Sequence, residues 1–467
     1  MSSDHVELRT GAYADSVTLL QVSRQVQQLP GVATAQVAMA TPLNLEVLER
    51  MGFAMPDDAT VNHLVVAVRL DDGGSLDTVL IEVDRALSDS RRQVAGPSEE
   101  APPRTTTSAL RREPGSLVLV SVPGASAAVE AMDALEAGSD VMVFSDNVPL
   151  HQEVALKRYA EPRDLLVMGP DCGTAVVGGL GLGFANVVSP GPVGIVAASG
   201  TGCQQVLALL DHAGVGVTTA YGVGGRDLSA EVGALATRTA LARLDRDIGV
   251  ETVMLISKPP ADDVARELTA YTASLATPVH LALLGAGRPD LTAATDDLLR
   301  ALGRDVPDWP VRGGTRGATG SRLHGLFVGG TMKQEAEVLV AASGLDPGRS
   351  ELVDFGDDEY TTGRAHPMID PTLRLERLAE VAADDATGVV LMDVVLGHGA
   401  EPDPAESLVP AIEGIRAPVV ITVVGTAHDP QGLERQMSAL AAAGAEVHVS
   451  NARATRRALE ILGAAHE

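Results

Sequence analysis

The chain has 467 residues, of which 35 are Lys or Arg and 62 are Asp or Glu, a formal charge of −27. A hydrophobic content of 45% excludes a disordered chain, and the length accommodates roughly two to four domains. The acidic balance and an aromatic content of 2% exclude nucleic-acid grooves and anionic membrane surfaces as natural partners, so an anionic ligand must be gripped by local backbone amides and a few cations.

In chain order, Val6-Glu7-Leu8-Arg9 predicts a strand and Asp15 caps a helix reaching Gln28. Val32–Met39 and Leu64-Val65-Val66-Ala67-Val68 predict two further strands, with helices between and after them, so residues 1–90 read as a small α+β domain. Residues 91–115 are rich in Pro, Thr and charge without periodicity, which marks a linker. Over 116–190 the apolar runs Leu117–Val122, Asp140–Phe144 and Leu165–Met168 predict buried parallel strands of a Rossmann-type unit, with a helix at Ala125–Ala137 stopped by Gly138.

Residues 191–302 repeat the strand–helix alternation, 303–321 form a second linker rich in Gly, Pro and Arg, and 322–467 run through strands at Gly325–Val328, Gly388–Met392, Val419–Val424 and Glu446–Val449. The fold class is therefore multidomain α/β, with two similarly built terminal lobes. Cys172 and Cys203 make neither a disulfide framework nor a zinc cluster, the first residues lack the order of a secretory signal, and no apolar run approaches ~18 residues. A reducing cytoplasm is the expected location.

Both lobes open with a strand that runs into small residues and a helix: Ala198-Ser199-Gly200-Thr201-Gly202 in one, Val328-Gly329-Gly330-Thr331 in the other. Such an entrance presents unpaired N–H groups and the positive end of the helix dipole, a seat for phosphate or carboxylate. If the lobes face each other, both helices aim at one anion, and the net charge ceases to be an objection. Neither entrance is a Walker loop, because Lys333 does not follow the glycines in the required place, and Ala197 breaks the Gly-x-Ser-x-Gly elbow of a hydrolase.

Further strand ends offer candidates: Asp146-Asn147, Gly169-Pro170-Asp171-Cys172-Gly173, Gly224-Gly225-Arg226-Asp227, Ser257-Lys258-Pro259-Pro260, and Asp393 through His398. The bland reading of each is a turn with a solvated charge. The irregular stretch 354–371 concentrates Arg364, His366 and several acids between apolar elements, as functional loops do. Asp354, Asp357, Asp358 and Asp370 have oxygen ligands that suit magnesium but lack fixed ligand spacing and read as solvated acids, so no metal ligand is assigned and the metal stays open. Cys172 reads as a small packing residue, and Ala236-Thr237-Arg238-Thr239, although similar to a carbamoyltransferase phosphate loop, lies inside a helix and reads as coincidence.

The strings Met142-Val143-Phe144-Ser145-Asp146-Asn147, Met168-Gly169-Pro170-Asp171-Cys172-Gly173-Thr174, Ala198-Ser199-Gly200-Thr201-Gly202, Gly224-Gly225-Arg226-Asp227, Ser257-Lys258-Pro259-Pro260 and Gly363-Arg364-Ala365-His366-Pro367-Met368-Ile369-Asp370-Pro371 closely resemble the FdrA family over nearly the whole chain. That family in turn looks like a rearranged succinyl-CoA synthetase. The resemblance implies a partial CoA-binding-type domain at 116–190, an alpha-type succinyl-CoA ligase lobe at 191–302 and a beta-type, flavodoxin-like lobe at 322–467.

It also implies that the two entrances jointly bind phosphate, at Ser199, Gly200, Thr201 and Gly202 and at Gly329, Gly330 and Thr331. This chain departs from the synthetase pattern in three ways. Leu284-Gly285-Ala286-Gly287-Arg288 is not followed by the histidine that synthetases phosphorylate, the Gly-rich CoA loop with its preceding strand is missing, and the 467 residues contain no ATP-grasp domain. These argue against CoA and ATP use by this chain alone, and no resident cofactor is expected.

FdrA-like proteins are associated with oxamate carbamoyltransferase of allantoin and purine catabolism. The resemblance therefore implies exchange of oxalurate and phosphate with oxamate and carbamoyl phosphate, two further protein subunits encoded nearby, and room for a homo-oligomer. On this reading Arg226, Lys258, His366 and His398 supply charge or proton transfer, and Asn147, Asp171, Arg364 and Asp393 contact substrate. The competing functions are an NDP-forming acyl-CoA ligase subunit and a non-catalytic assembly subunit.

Overall fold

The computed structural model describes residues 3–71, 73–93, 103–314 and 317–464. The chain divides into two compact units, one of residues 1–102 with 357–370 and the other of 103–356 with 371–467. The segment 357–370 thus belongs with the N-terminal domain, although the sequence reading counted it in the last lobe. Residues 94–102 of the expected first linker and 315–316 of the second lie outside the described residues; the remainder of the first linker includes a helix, Thr106–Leu110.

In the first unit, Ser3–Thr10 and Val32–Met39 flank His63–Leu70 in an antiparallel sheet. The central strand alternates between two cores. Leu64, Val66 and Val68 pack with Leu19, Val22 and Val83 of the helices Ser16–Gln27 and Leu76–Gln93, while Val65 and Ala67 pack with Leu48 and Phe53 on the opposite face. The segment 357–370 is fastened to this unit by the Asn44 amide, which donates to the Gly363 carbonyl at 2.9 Å, and by Arg24, which donates to the Ile369 carbonyl at 3.1 Å.

Among the described residues, the second unit holds three sheets. Val118–Val120, Val141–Val143 and Val167–Met168 form a short parallel sheet, as the apolar runs predict. The sheet of the first ligase-like lobe runs in the order Val279–Leu283, Thr252–Ser257, Val193–Ala198, Val217–Gly222, Thr174–Val177, Leu180–Gly183. Its last two strands are an antiparallel hairpin contributed by the preceding domain, so the boundary expected at 190 is crossed by a continuous sheet.

The second lobe orders its strands Val311–Arg312, Glu446–His448, Val419–Val424, Thr387–Val395, Arg322–Phe327, Ser350–Asp354, with all but the first parallel. The central strands are buried on both faces, which explains why they are mostly apolar. No described helix is long and apolar enough to cross a membrane.

Candidate functional site

Val193–Ala198 is fully buried in the middle of its sheet and delivers Ser199 to the start of the helix Gly200–His212. Ser199 caps that helix, its Oγ accepting from the Gly202 amide at 2.9 Å. The matching strand Arg322–Phe327 leads through Val328 to Gly329, which opens the helix Gly330–Ala342 with no side-chain cap.

The two entrances meet. Ser199 Oγ and Thr331 Oγ1 are 2.6 Å apart, and a Cβ on Gly329 would stand 2.8 Å from the Thr201 hydroxyl oxygen. A Cβ on Gly202 would stand 3.0 Å from Thr331 Cγ2 and would collide with Ser199 Oγ. Glycine at 202 and 329 is therefore what lets two helix N-termini touch, and the Ser199 and Thr331 hydroxyls lock them together.

Ser199, Thr201 and Thr331 are buried by this contact, whereas Gly200 and Gly330 are half-exposed. The outward-facing donors are accordingly backbone amides at the two glycines rather than the hydroxyls. Two helix dipoles with their positive ends together repel one another, an arrangement that a bound anion relieves.

Lys258, one residue beyond the buried strand Thr252–Ser257, brings a cation to this place. Its Nζ lies 3.3 Å from the position of a Cβ on Gly330 and 3.8 Å from that of a Cβ on Gly225. Its ammonium enters no hydrogen bond or ion pair among the described residues. The segment that follows Asp171 lies beside the first entrance, with Gly173 Cα and Thr174 Oγ1 each 3.7 Å from a Cβ position on Gly200.

The other anticipated residues lie as follows. Asn147 and Asp171 are exposed and left-handed, at φ 54° and 56°, at the carboxyl ends of their strands. Arg226 is tied to the preceding domain: its Nε contacts Glu153 at 2.9 Å and its Nη2 donates to the Val148 carbonyl at 2.8 Å. Asp393 is fully buried and accepts from the Val328 and Gly329 amides at 2.8 and 2.9 Å, which makes it the anchor of the second turn rather than a surface that substrate could touch. Burial pushes its carboxyl up to about 6, against the pull of Arg374.

Arg364 pairs with Asp370 at 3.0 Å inside the first unit. His366 belongs to that unit as well; its Nδ1 accepts from the Met368 amide at 3.2 Å, and desolvation pushes it down to about 4, so the ring is neutral. His398 is exposed in the second unit and is tied by its backbone to Ala185. Cys172 and Cys203 are buried, and burial pushes both thiols up, so neither is a nucleophile. Among the described residues, no three His, Cys, Asp or Glu side chains gather to hold a metal.

Three residues that matter here escaped sequence reasoning. Lys157 is wholly buried, its Nζ held by Glu153 at 2.7 Å, Asp227 at 2.8 Å and the Val223 carbonyl at 2.9 Å, so it secures both ends of the Gly224-Gly225-Arg226 turn. Arg374 backs Asp393, donating to its main-chain oxygen at 2.6 Å. Asp354 was weighed only as a metal ligand, yet its Oδ2 stands 2.6 Å from a Cβ position on Gly330. Its place at a strand's carboxyl end was the one available signal.

Comparison with known proteins agrees with this architecture. The uncharacterized protein YahF of Escherichia coli is 35% identical, the match covering 94% of this chain and 95% of YahF. Residues 326–461 match the CoA-ligase family, and residues 1–103 match the AllF heavy metal-associated domain. The chain belongs to the succinyl-CoA ligase-like family that includes YahF.

Within this family relationship, the alpha subunit of succinate–CoA ligase from Methanothermobacter thermautotrophicus is 29% identical over 37% of the chain, and subunit alpha-2 of Trichomonas vaginalis is 29% identical over the same share. The chain spans 58% and 57% of their respective lengths. Both cysteines of the chain, Cys172 and Cys203, lie outside residues 1–103, so that domain carries no thiolate ligand.

Proposed function

We propose that the paired entrances bind phosphate and carbamoyl phosphate, and that the chain is a subunit of an oxamate carbamoyltransferase-like enzyme of allantoin catabolism. One observation carries the reading: the 2.6 Å contact between Ser199 and Thr331, which joins two helix N-termini far apart in sequence at the foot of Lys258. The AllF description of the N-terminal match points the same way.

In the transfer, the amide nitrogen of oxamate attacks the carbamoyl carbon, the bond from that carbon to the bridging phosphate oxygen breaks, and the electron pair leaves with phosphate. Negative charge grows on the departing oxygen. The amides at Gly200 and Gly330, two aligned dipoles and the Lys258 ammonium are already in place to stabilise it, which is the electrostatic preorganisation that acyl transfer needs. Proton uptake from the amide falls to His398, since His366 has its Nδ1 occupied. Oxamate itself is held at the strand ends of Asn147 and Asp171.

The test is titration of the full chain with inorganic phosphate, followed by phosphate release from carbamoyl phosphate and oxamate in the complex co-expressed with its genomic neighbours. Lys258→Met should weaken phosphate binding and slow release about tenfold or more, the scale of a removed charge-assisted hydrogen bond, and Thr331→Ala, which removes the hydroxyl contact that seats the two entrances against each other, should weaken both by a smaller factor. A wild-type chain that binds no phosphate refutes the proposal. The CoA-ligase match favours a second reading, an NDP-forming acyl-CoA ligase subunit. Covalent labelling of this chain by γ-labelled ATP in that complex would establish it; the missing histidine after Arg288 argues otherwise.

A further inference from the structure

Asp354 ends the strand Ser350–Asp354, the edge of its sheet, and pairs in register with Phe327 on the strand that feeds the second entrance. Its Oδ1 accepts from the Gly356 amide at 2.8 Å, which orients the carboxylate. Oδ2 is thereby presented to Gly330, 2.6 Å from where a Cβ would stand, and Lys258 Nζ approaches the same point from another direction at 3.3 Å.

A carboxylate and an ammonium thus flank the half-exposed Gly330 at the mouth of the cradle. For a bare phosphate this arrangement is a compromise, because Lys258 and the helix amides attract it while Asp354 repels it. A ligand that carries an anion at one end and an N–H donor a few atoms away is complementary to both charges at once. Among small acyl phosphates, carbamoyl phosphate has an NH2 where acetyl phosphate has a methyl group of nearly equal size.

We propose that Asp354 is the specificity-determining residue of the cradle, accepting a hydrogen bond from the carbamoyl NH2 while Lys258 and the Gly330 amide hold the phosphate; this rests on the phosphate-binding reading above. A site built to bond a substrate N–H rejects the isosteric analogue that lacks it far more strongly than an apolar pocket rejects an extra methyl. Asp354 also lowers the affinity for unaccompanied negative charge, so inorganic phosphate binds, but less tightly than carbamoyl phosphate.

The experiment is calorimetric titration of the full chain with carbamoyl phosphate, acetyl phosphate and inorganic phosphate, in wild type, Asp354→Ala and Asp354→Asn. Wild type should favour carbamoyl over acetyl phosphate by about tenfold or more, the worth of one charge-assisted hydrogen bond. Asp354→Ala should abolish that preference by weakening carbamoyl phosphate while leaving acetyl and inorganic phosphate as tight or tighter. Asp354→Asn, which keeps an acceptor oxygen, should retain part of the preference.

A merely structural Asp354 would weaken all three ligands together, and that result overturns the inference. So does a wild type that binds both acyl phosphates equally, although the phosphate cradle then stands. If wild type binds none of the three, the cradle and the selectivity built on it fall together.

Discussion

Asp393→Ala tests whether the second entrance is held from behind. The substitution removes the acceptor of two buried amides, Val328 and Gly329, and leaves Arg374, 4% exposed, without the carboxylate that burial obliges it to face. An unsatisfied buried donor costs about 1–3 kcal/mol and an uncompensated buried charge about 3–5 kcal/mol. These costs overlap because the turn relaxes, so the expected loss is about 4 kcal/mol, or roughly 5 °C in melting temperature for a unit of this size.

The assay is a thermal melt of the full chain with and without inorganic phosphate, repeated for Arg374→Met and the double variant. If the orphaned guanidinium dominates, the double variant should be more stable than Asp393→Ala alone, because no charge is then left buried unpaired. The stabilisation conferred by phosphate should fall in every variant that loses Asp393, since the Gly329-Gly330-Thr331 turn is no longer fixed. A loss below about 1 kcal/mol with phosphate stabilisation intact would refute the anchoring role assigned to this pair.

Glu335 is buried where the helices Gly200–His212, Leu291–Ala301, Gly330–Ala342 and Asn451–Ile461 converge, and desolvation first, with Asp290 second, pushes its carboxyl up to about 7. A folded value raised above the unfolded one means stability present in full at low pH and lost as pH rises through about 7. Wild type should therefore lose at most about 1.4 kcal/mol per pH unit in the window from about 4.5 to about 7, and Glu335→Gln should flatten that part of the melting profile. Lys157→Met leaves Glu153 and Asp227 buried without their shared ammonium and should cost about 3–5 kcal/mol in urea unfolding; a loss under about 1 kcal/mol would contradict the network. Cys172 and Cys203 should resist a thiol reagent at pH 8 in the native chain, and both should react once it is unfolded; rapid native labelling would contradict their burial.

Local sequence determined what local physics controls. Strands buried on both faces must be continuously apolar, so Val193–Ala198, Thr252–Ser257 and Val419–Val424 were legible, and small residues after a strand announced both helix entrances. Asp15 announced its own helix because a cap acts within one turn, and its side chain accepts from the Thr18 amide at 2.9 Å. The touching of the two entrances was inferred from their pairing, but one sequence carries no distance between residues as far apart as Ser199 and Thr331.

Tertiary structure alone decided the rest, because the energy of a charge depends on what surrounds it. Lys157 and Arg374 resemble ordinary helix-surface cations in sequence and become buried keystones only because Asp227 and Asp393 arrive from other elements. Arg226 and Arg364, which sequence set aside for substrate, are taken by Glu153 and Asp370. The hairpin Thr174–Gly183 joins a neighbouring domain's sheet, and residues 357–370 leave the lobe that encodes them for the N-terminal domain. Backbone hydrogen bonds and close packing reward such partners wherever along the chain they lie, so position in sequence could not reveal them.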